Sequence, residues 1–162
     1  MLSLQRSKFS LPKSITYLNC AYMSPLLKKV EKAGIEGIKG KRNPIHISPK
    51  EFFTSGELLR KQFAKLVGSK DPKRIAIIPS ASYGMANAAH NIKLRSSEKV
   101  IVMGEQFPSN YYPWQRLCLD SGARLETIAP PQTRVNRGKV WNERILDAID
   151  NNTRIVAMGH VH

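Results

Sequence analysis

The sequence predicts an α/β fold: a mostly parallel sheet with helices on both faces, in three αβα layers, preceded by a helical N-terminal arm. Three observations predict it. Short apolar runs recur at residues 75–78, 100–103 and 154–158, the unbroken pattern of strands buried on both faces. Segments with helical apolar spacing stand between them. From Arg74 onward the order is strand, helix, strand, helix, strand, helix, strand, which implies parallel strands joined by crossover helices.

Each element has its own signal. Ser24-Pro25 reads as an N-cap followed by proline at the first helical position, opening a helix that runs to about Gly40. Ser48-Pro49-Lys50-Glu51 is an S-x-x-E capping box, and its helix puts Phe52, Gly56, Leu59, Phe63 and Leu66 on one face. Ile75–Ile78 reads as the first strand. Met85, Ala88, Ala89 and Ile92 then fall at i, i+3, i+4 and i+7, the apolar face of a helix over 82–93. Val100–Met103 is the next strand. A helix over 113–121 stops at Gly122, a natural residue for the left-handed turn after a helix. Arg124–Ile128 is a strand, and Pro130-Pro131 opens a polar loop through Gly138. Asn142 caps a short helix carrying Ile145, Leu146 and Ile149, and Arg154–Met158 is the last strand. The expected division is an arm over 1–73 and an α/β domain over 74–162.

Composition narrows the function classes. With 41% hydrophobic and 23% charged residues, 162 residues make an ordinary globular domain. No apolar run is long enough to cross a bilayer, and the N-terminus has basic residues without the apolar core of a secretory signal. Cys20 and Cys118 match no metal spacing and read as reduced thiols of a cytoplasmic protein. The net charge of +14 admits a polyanion-binding role, including nucleic acid. The cations, however, are dispersed: Lys28, Lys29 and Lys32 on one helix, Arg60, Lys61 and Lys65 on another, Arg134, Arg137 and Lys139 in a loop. Solvated helix faces explain them better, and nucleic acid is the lesser alternative.

The most chemical stretch is Ile75 to Met85, where an apolar strand empties into a helix through Pro79, Ser80, Ala81 and Ser82. A helix start leaves free N–H groups and the positive end of the helix dipole aimed at one point, which suits phosphate. It is neither G-x-G-x-x-G nor G-x-x-x-x-G-K-[ST], so the phosphate would belong to another kind of ligand. Serine at a helix start is also ordinary α/β punctuation. His160 and His162 share one face of a strand, but no third ligand accompanies them, and no metal is expected. The chain stops directly after the last apolar strand, with no covering helix, and so reads as a truncated α/β domain.

Four segments resemble the class V aminotransferases, the pyridoxal-phosphate family of fold type I that includes cysteine desulfurases and kynureninase-like proteins. Tyr17-Leu18-Asn19-Cys20-Ala21-Tyr22-Met23-Ser24-Pro25-Leu26 resembles the family's opening. Pro79-Ser80-Ala81-Ser82-Tyr83-Gly84 resembles its cofactor-phosphate segment. Phe107-Pro108-Ser109-Asn110-Tyr111-Tyr112-Pro113-Trp114 is similar to its segment after the next strand. Thr153 to His162 resembles its strand ending in H-V. The resemblance implies that Ala81 and Ser82 bind the phosphate of pyridoxal 5'-phosphate. Phe107 would stack on the ring where desulfurases use histidine, and His160 and His162 would lie at the cofactor's edge. It further implies that Asn19, Ala21 and Tyr22 approach an amino-acid substrate, and that the enzyme is a homodimer.

The lysine that the family links to its cofactor, and the acid on the pyridine nitrogen, lie beyond the strand that ends this sequence. Every lysine here falls too early, and Lys99 sits at the amino end of its strand, opposite the crevice. No catalytic residue is therefore assigned. The expectation is the N-terminal part of an incomplete major domain, inactive alone, from a transaminase, a desulfurase or lyase, or an epimerase.

Overall fold

The computed structural model describes residues 3–20 and 22–160. The chain forms two compact units, Met1–Ile77 and Ile78–His162.

In the first unit, residues Phe9 and Leu27 form an antiparallel bridge. That bridge holds Leu27 extended, at φ −66° and ψ 133°, so helix α1 starts only at Lys28 and runs to Gly40. The expected cap at Ser24 does not form; its hydroxyl donates to the Cys20 carbonyl at 3.1 Å instead. Helix α2 spans Glu51–Leu66. Half of the expected capping box is present: the Ser48 N–H donates to the Glu51 carboxylate at 2.6 Å, which holds that carboxyl below its ordinary range. The apolar face of α2 is there, but Phe52 and Leu66 remain 75% and 79% exposed, and Ala64 is the helix's buried residue.

The second unit holds the sheet. Helix α3 (Ala81–Asn91) leads to strand β1 (Lys99–Met103), helix α4 (Tyr112–Ser121), strand β2 (Arg124–Ile128), helix α5 (Arg137–Asp147) and strand β3 (Thr153–Ala157). The strands are all parallel, in the order β2-β1-β3. Lys99 pairs with Arg124 and Met103 with Ile128, and the β1–β3 register slips by one residue between Lys99 and Val100.

β1 is central, and all five of its residues are buried. Val100 and Val102 face α3 and α4, packing with Ala89, Trp114 and Cys118. Ile101 and Met103 face the other way, packing with Ile128 and with Trp141 and Ile145 of α5. The sheet is therefore the middle of three layers, as the alternation predicts. Met85, Ala88 and Ile92 line α3's inner face at the expected spacing. Each of Val100, Ile101 and Val102, at 1% exposure or less, contributes about 1.5–3 kcal/mol by its burial.

Two expected elements differ. Residues 75–78 make no strand. A strand exists only where a neighbour accepts its ladder, and among the described residues the sheet's ladders join only β1 with β2 and β1 with β3. The last helix begins at Arg137 rather than after Asn142, because Trp141 and Ile145, four apart, both bury against β1 and β2. Leu146, expected inside, is exposed. Gly122 ends α4 in the left-handed conformation at φ 71°, as its position implies.

One charged residue is buried among the described residues. Lys99 is 4% exposed, and its ammonium donates to Glu126 of β2 and Asp150 ahead of β3, each at 2.9 Å, and to the Ala148 carbonyl at 2.6 Å. One cation thus ties the amino ends of all three strands. Its hydrogen bonds to Asp150 and then Glu126 raise the Lys99 pKa, and the bond from Lys99 lowers that of Asp150. The contribution of Asp150 is present above the ordinary carboxylate range and disappears as pH falls through its lowered value. That of Lys99 is present below the ordinary lysine range and disappears as pH rises through its raised value. Lys99→Met, which takes the buried cation from both carboxylates and leaves Glu126 with Arg124 and Asp150 with the Asn152 N–H and the Thr153 hydroxyl, is expected to lower the unfolding midpoint most at neutral pH. The deficit should narrow in acid when denaturant unfolding is followed across pH. Trp114→Ala should cost about 3–5 kcal/mol in the same assay.

Candidate functional site

Helix α3 is built to present free donors. Ser80 is extended, at φ −161° and ψ 161°, and its hydroxyl accepts from the Tyr83 N–H at 3.1 Å. Its carbonyl accepts from the Gly84 N–H at 3.2 Å. The cap therefore uses one orphan donor and leaves two: among the described residues, the N–H groups of Ala81 and Ser82 meet no protein acceptor. Ser82 adds an exposed hydroxyl beside them. Gly84 allows close approach of this turn to the preceding segment, since a Cβ there would lie 2.6 Å from Ile78 Cδ1.

The sheet's connections define a second feature. From β1 the chain crosses through α4 to β2 on one side, then returns through α5, on the opposite face, to β3 on the other side. The order reverses between β1 and β3, and crevices at the carboxyl ends of such reversal points are where open α/β sheets bind ligands. Two segments flank this one. After β1 come Gly104, Glu105, Gln106 and Phe107; after β3 come Met158, Gly159 and His160. Phe107 is held extended ahead of Pro108, and the residue is 64% exposed. Glu105 sits at φ 58°, a left-handed conformation that a non-glycine residue rarely adopts. His160 is exposed.

A relay of side chains underlies the loop after β1. The Trp114 indole N–H donates to Asn110 Oδ1 at 3.2 Å, and Asn110 Nδ2 donates to Gln106 Oε1 at 3.0 Å. Gln106 Nε2 is buried and has no partner among the described residues. Sequence reasoning missed this relay; its signal was the spacing of Gln106, Asn110 and Trp114, four apart across a turn and a helix start. It also missed a polar cleft of about 270 Å³ beyond β1 and β2, where Glu105 faces Arg134 and Arg137.

The remaining expected residues lie elsewhere. Asn19 and Tyr22 belong to the first unit, in a turn where the Asn19 carbonyl accepts from the N–H groups of Tyr22 and Met23. Ala21 and His162 fall outside the described residues. Among the described residues no group of three or more His, Cys, Asp or Glu side chains could hold a metal ion, and no helix is long and apolar enough to cross a membrane.

A family model described as Aminotransferase class-V matches residues 28–162. The chain belongs to the class-V aminotransferase family. A cysteine desulfurase of Cronobacter sakazakii is 26% identical over 108 residues, 65% of this chain and 26% of that protein. One from Salmonella typhimurium is 25% identical over 120 residues, 72% of this chain and 29% of that protein. Two solved structures share the fold. The cysteine desulfurase CsdA from Escherichia coli superposes with a TM-score of 0.66 at 17% identity, over 93% of this chain and 39% of its own. A lysine-to-alanine mutant of C-DES, with glycine covalently linked to its PLP cofactor, gives 0.71 at 15% identity, over 98% and 41%. The chain thus spans between a quarter and three tenths of the length of these curated relatives. None of them points to a polyanion-binding module.

For a class-V aminotransferase the implied cofactor is pyridoxal phosphate, and the donors present fit it. A phosphate needs several N–H or O–H donors and tolerates no nearby carboxylate. The start of α3 offers two free N–H groups and the Ser82 hydroxyl, with no acidic residue in its first turn. Ser80→Ala removes the cap and should cost about 1 kcal/mol in denaturant unfolding, through fraying of α3's first turn. Should stability stay unchanged, Ser80 is not organising this turn.

Proposed function

We propose that this chain carries the phosphate-and-ring portion of a pyridoxal-phosphate site in an enzyme that acts on an amino acid. The observation that carries the reading is the pair of free N–H groups at Ala81 and Ser82, joined by a serine hydroxyl and organised by the Ser80 cap. On this reading Ala81 and Ser82 hold the phosphate. Phe107 covers one face of the ring, where an electron-poor aromatic ring favours an aromatic neighbour. His160, on the loop after β3, lies at the cofactor's edge, and His162 is assigned to the same edge by resemblance alone. Asn19, Ala21 and Tyr22 contribute on the substrate side. When bound, the cofactor supplies an electron sink for bonds at the amino acid's α-carbon. This chain's residues anchor it and exclude water from its face.

The named relatives make cysteine the first amino acid to assay, with transamination, lyase and epimerase chemistry as the other outcomes. Residues 104–111, 129–136 and 158–162, which follow the carboxyl ends of the strands, contain no lysine. These three loops therefore supply no cofactor-linking lysine, and the 162 residues by themselves are expected to show no turnover. The complete enzyme is read as a cytoplasmic homodimer.

Spectroscopic titration of the intact protein tests the reading, with pyridoxal phosphate and with phosphate-free pyridoxal. Ser82→Asp should weaken pyridoxal phosphate by at least about 10–100-fold, since it removes a hydrogen bond to a charged group and adds a like charge, and leave pyridoxal nearly unchanged. Phe107→Ala should weaken both to a similar extent. Equal losses for both ligands in Ser82→Asp would place the phosphate elsewhere.

A further inference from the structure

The relay beneath the β1 loop has a fixed direction. An indole N–H can only donate, so Trp114 requires an acceptor from Asn110 and orients its carboxamide with Oδ1 toward the ring. Asn110 must then present its NH₂ to Gln106, which in turn answers with Oε1. The far end of Gln106 is consequently its NH₂. Turning the Gln106 amide over would set two donors against each other, and turning Asn110 as well would do the same at Trp114. Trp114 is 4% exposed, in the cluster with Val100 and Val102, so the start of the relay is rigid.

The end of the relay is a donor without an acceptor. Gln106 Nε2 is shut from solvent and unpaired among the described residues, a state native proteins rarely tolerate unless a partner arrives. It lies one residue before Phe107 and one after Glu105, whose φ of 58° marks a backbone held in an unfavourable conformation. All three leave the carboxyl end of β1, at the point where the sheet order reverses toward β3.

We propose that Gln106 is a further ligand-binding residue, its Nε2 donating to an anionic oxygen of the molecule that occupies this crevice. The assignment rests on the pyridoxal-phosphate reading and adds a contact to it. The oxygen belongs either to the cofactor or to the carboxylate of the amino-acid substrate, and both present the acceptor that the relay demands. The loop after β1 then contributes two neighbouring contacts of different kinds: the Phe107 face and the Gln106 donor.

Gln106→Glu is the decisive variant, because it keeps an acceptor oxygen toward Asn110 and replaces only the free NH₂ with a carboxylate oxygen. Gln106→Met removes the donor without adding charge, and also removes the Oε1 that accepts from Asn110. In the intact protein each is titrated spectroscopically with pyridoxal phosphate, then with L-cysteine on the cofactor-loaded form, and its Tm is measured without ligand. The expected result for Gln106→Glu is a loss of about tenfold or more in one affinity with the other kept, whatever its buried charge costs in ligand-free Tm, and a smaller loss in that same affinity for Gln106→Met. A loss for pyridoxal phosphate assigns the cofactor oxygen; a loss for L-cysteine alone assigns the substrate carboxylate. Unchanged affinities in both variants, or equal losses of pyridoxal phosphate and L-cysteine that track the fall in Tm, overturn the assignment. If wild-type protein gives no pyridoxal-phosphate spectrum, the functional reading itself fails and Gln106 falls with it. Normal wild-type binding with unaffected variants removes Gln106 alone.

Discussion

Everything in the α/β unit depends on the burial of β1 on both faces. A strand whose five residues are all inside cannot lie at an edge or against solvent, so it demands a strand on each side and a helix layer above and below. The chain meets that demand by crossing once to each side, α4 over one face and α5 over the other. Crossing to both sides is what creates the reversal point between β1 and β3. The candidate site is thus a by-product of satisfying a core strand, and its position follows from topology before any polar residue is considered.

The two ends of the sheet are chemically opposite. At the amino ends, Lys99 is wholly engaged: Glu126, Asp150 and the Ala148 carbonyl take its three donor protons, and nothing remains to offer a ligand. At the carboxyl ends the balance runs the other way. Among the described residues, the Gln106 Nε2 in the loop after β1 and two N–H groups at the start of α3 meet no protein acceptor. A buried lysine in a pyridoxal-phosphate family invites a catalytic reading, but this one is a clasp that fastens three strands at the end remote from the crevice.

The same logic separates α3 from α5. Both start near residues able to meet an anion, yet only α3 has a side-chain cap, and that cap spends one donor while leaving two aligned. Helix α5 begins at Asn136, in a left-handed conformation at φ 51° and without a side-chain cap, and its position is set by where Trp141 must reach the core. One helix start is organised around its free donors and the other around packing.

Much of this was legible in the chain itself. The β2 boundaries, the inner face of α3, the stop at Gly122 and the buried Cys118 follow from local pattern, because periodicity and turn chemistry act over a few residues. The segment at Ser80–Ser82 was legible for the same reason, as a cap followed by small residues. Tertiary structure decided what depends on partners distant in sequence. Residues 75–78 have the composition of a strand but find no ladder, Ser24 loses its helix to a bridge between Phe9 and Leu27, and α5 starts early to bury Trp141. The clasp on Lys99 joins residues 27 and 51 positions away, and the donor on Gln106 is orphaned only once Trp114 is fixed in the core. Sequence by itself determined which segments are helix, strand and turn wherever the deciding forces are local. Which polar groups end up paired, and which are left free to meet a ligand, was decided by packing, because burial and hydrogen-bond direction are properties of neighbours in space.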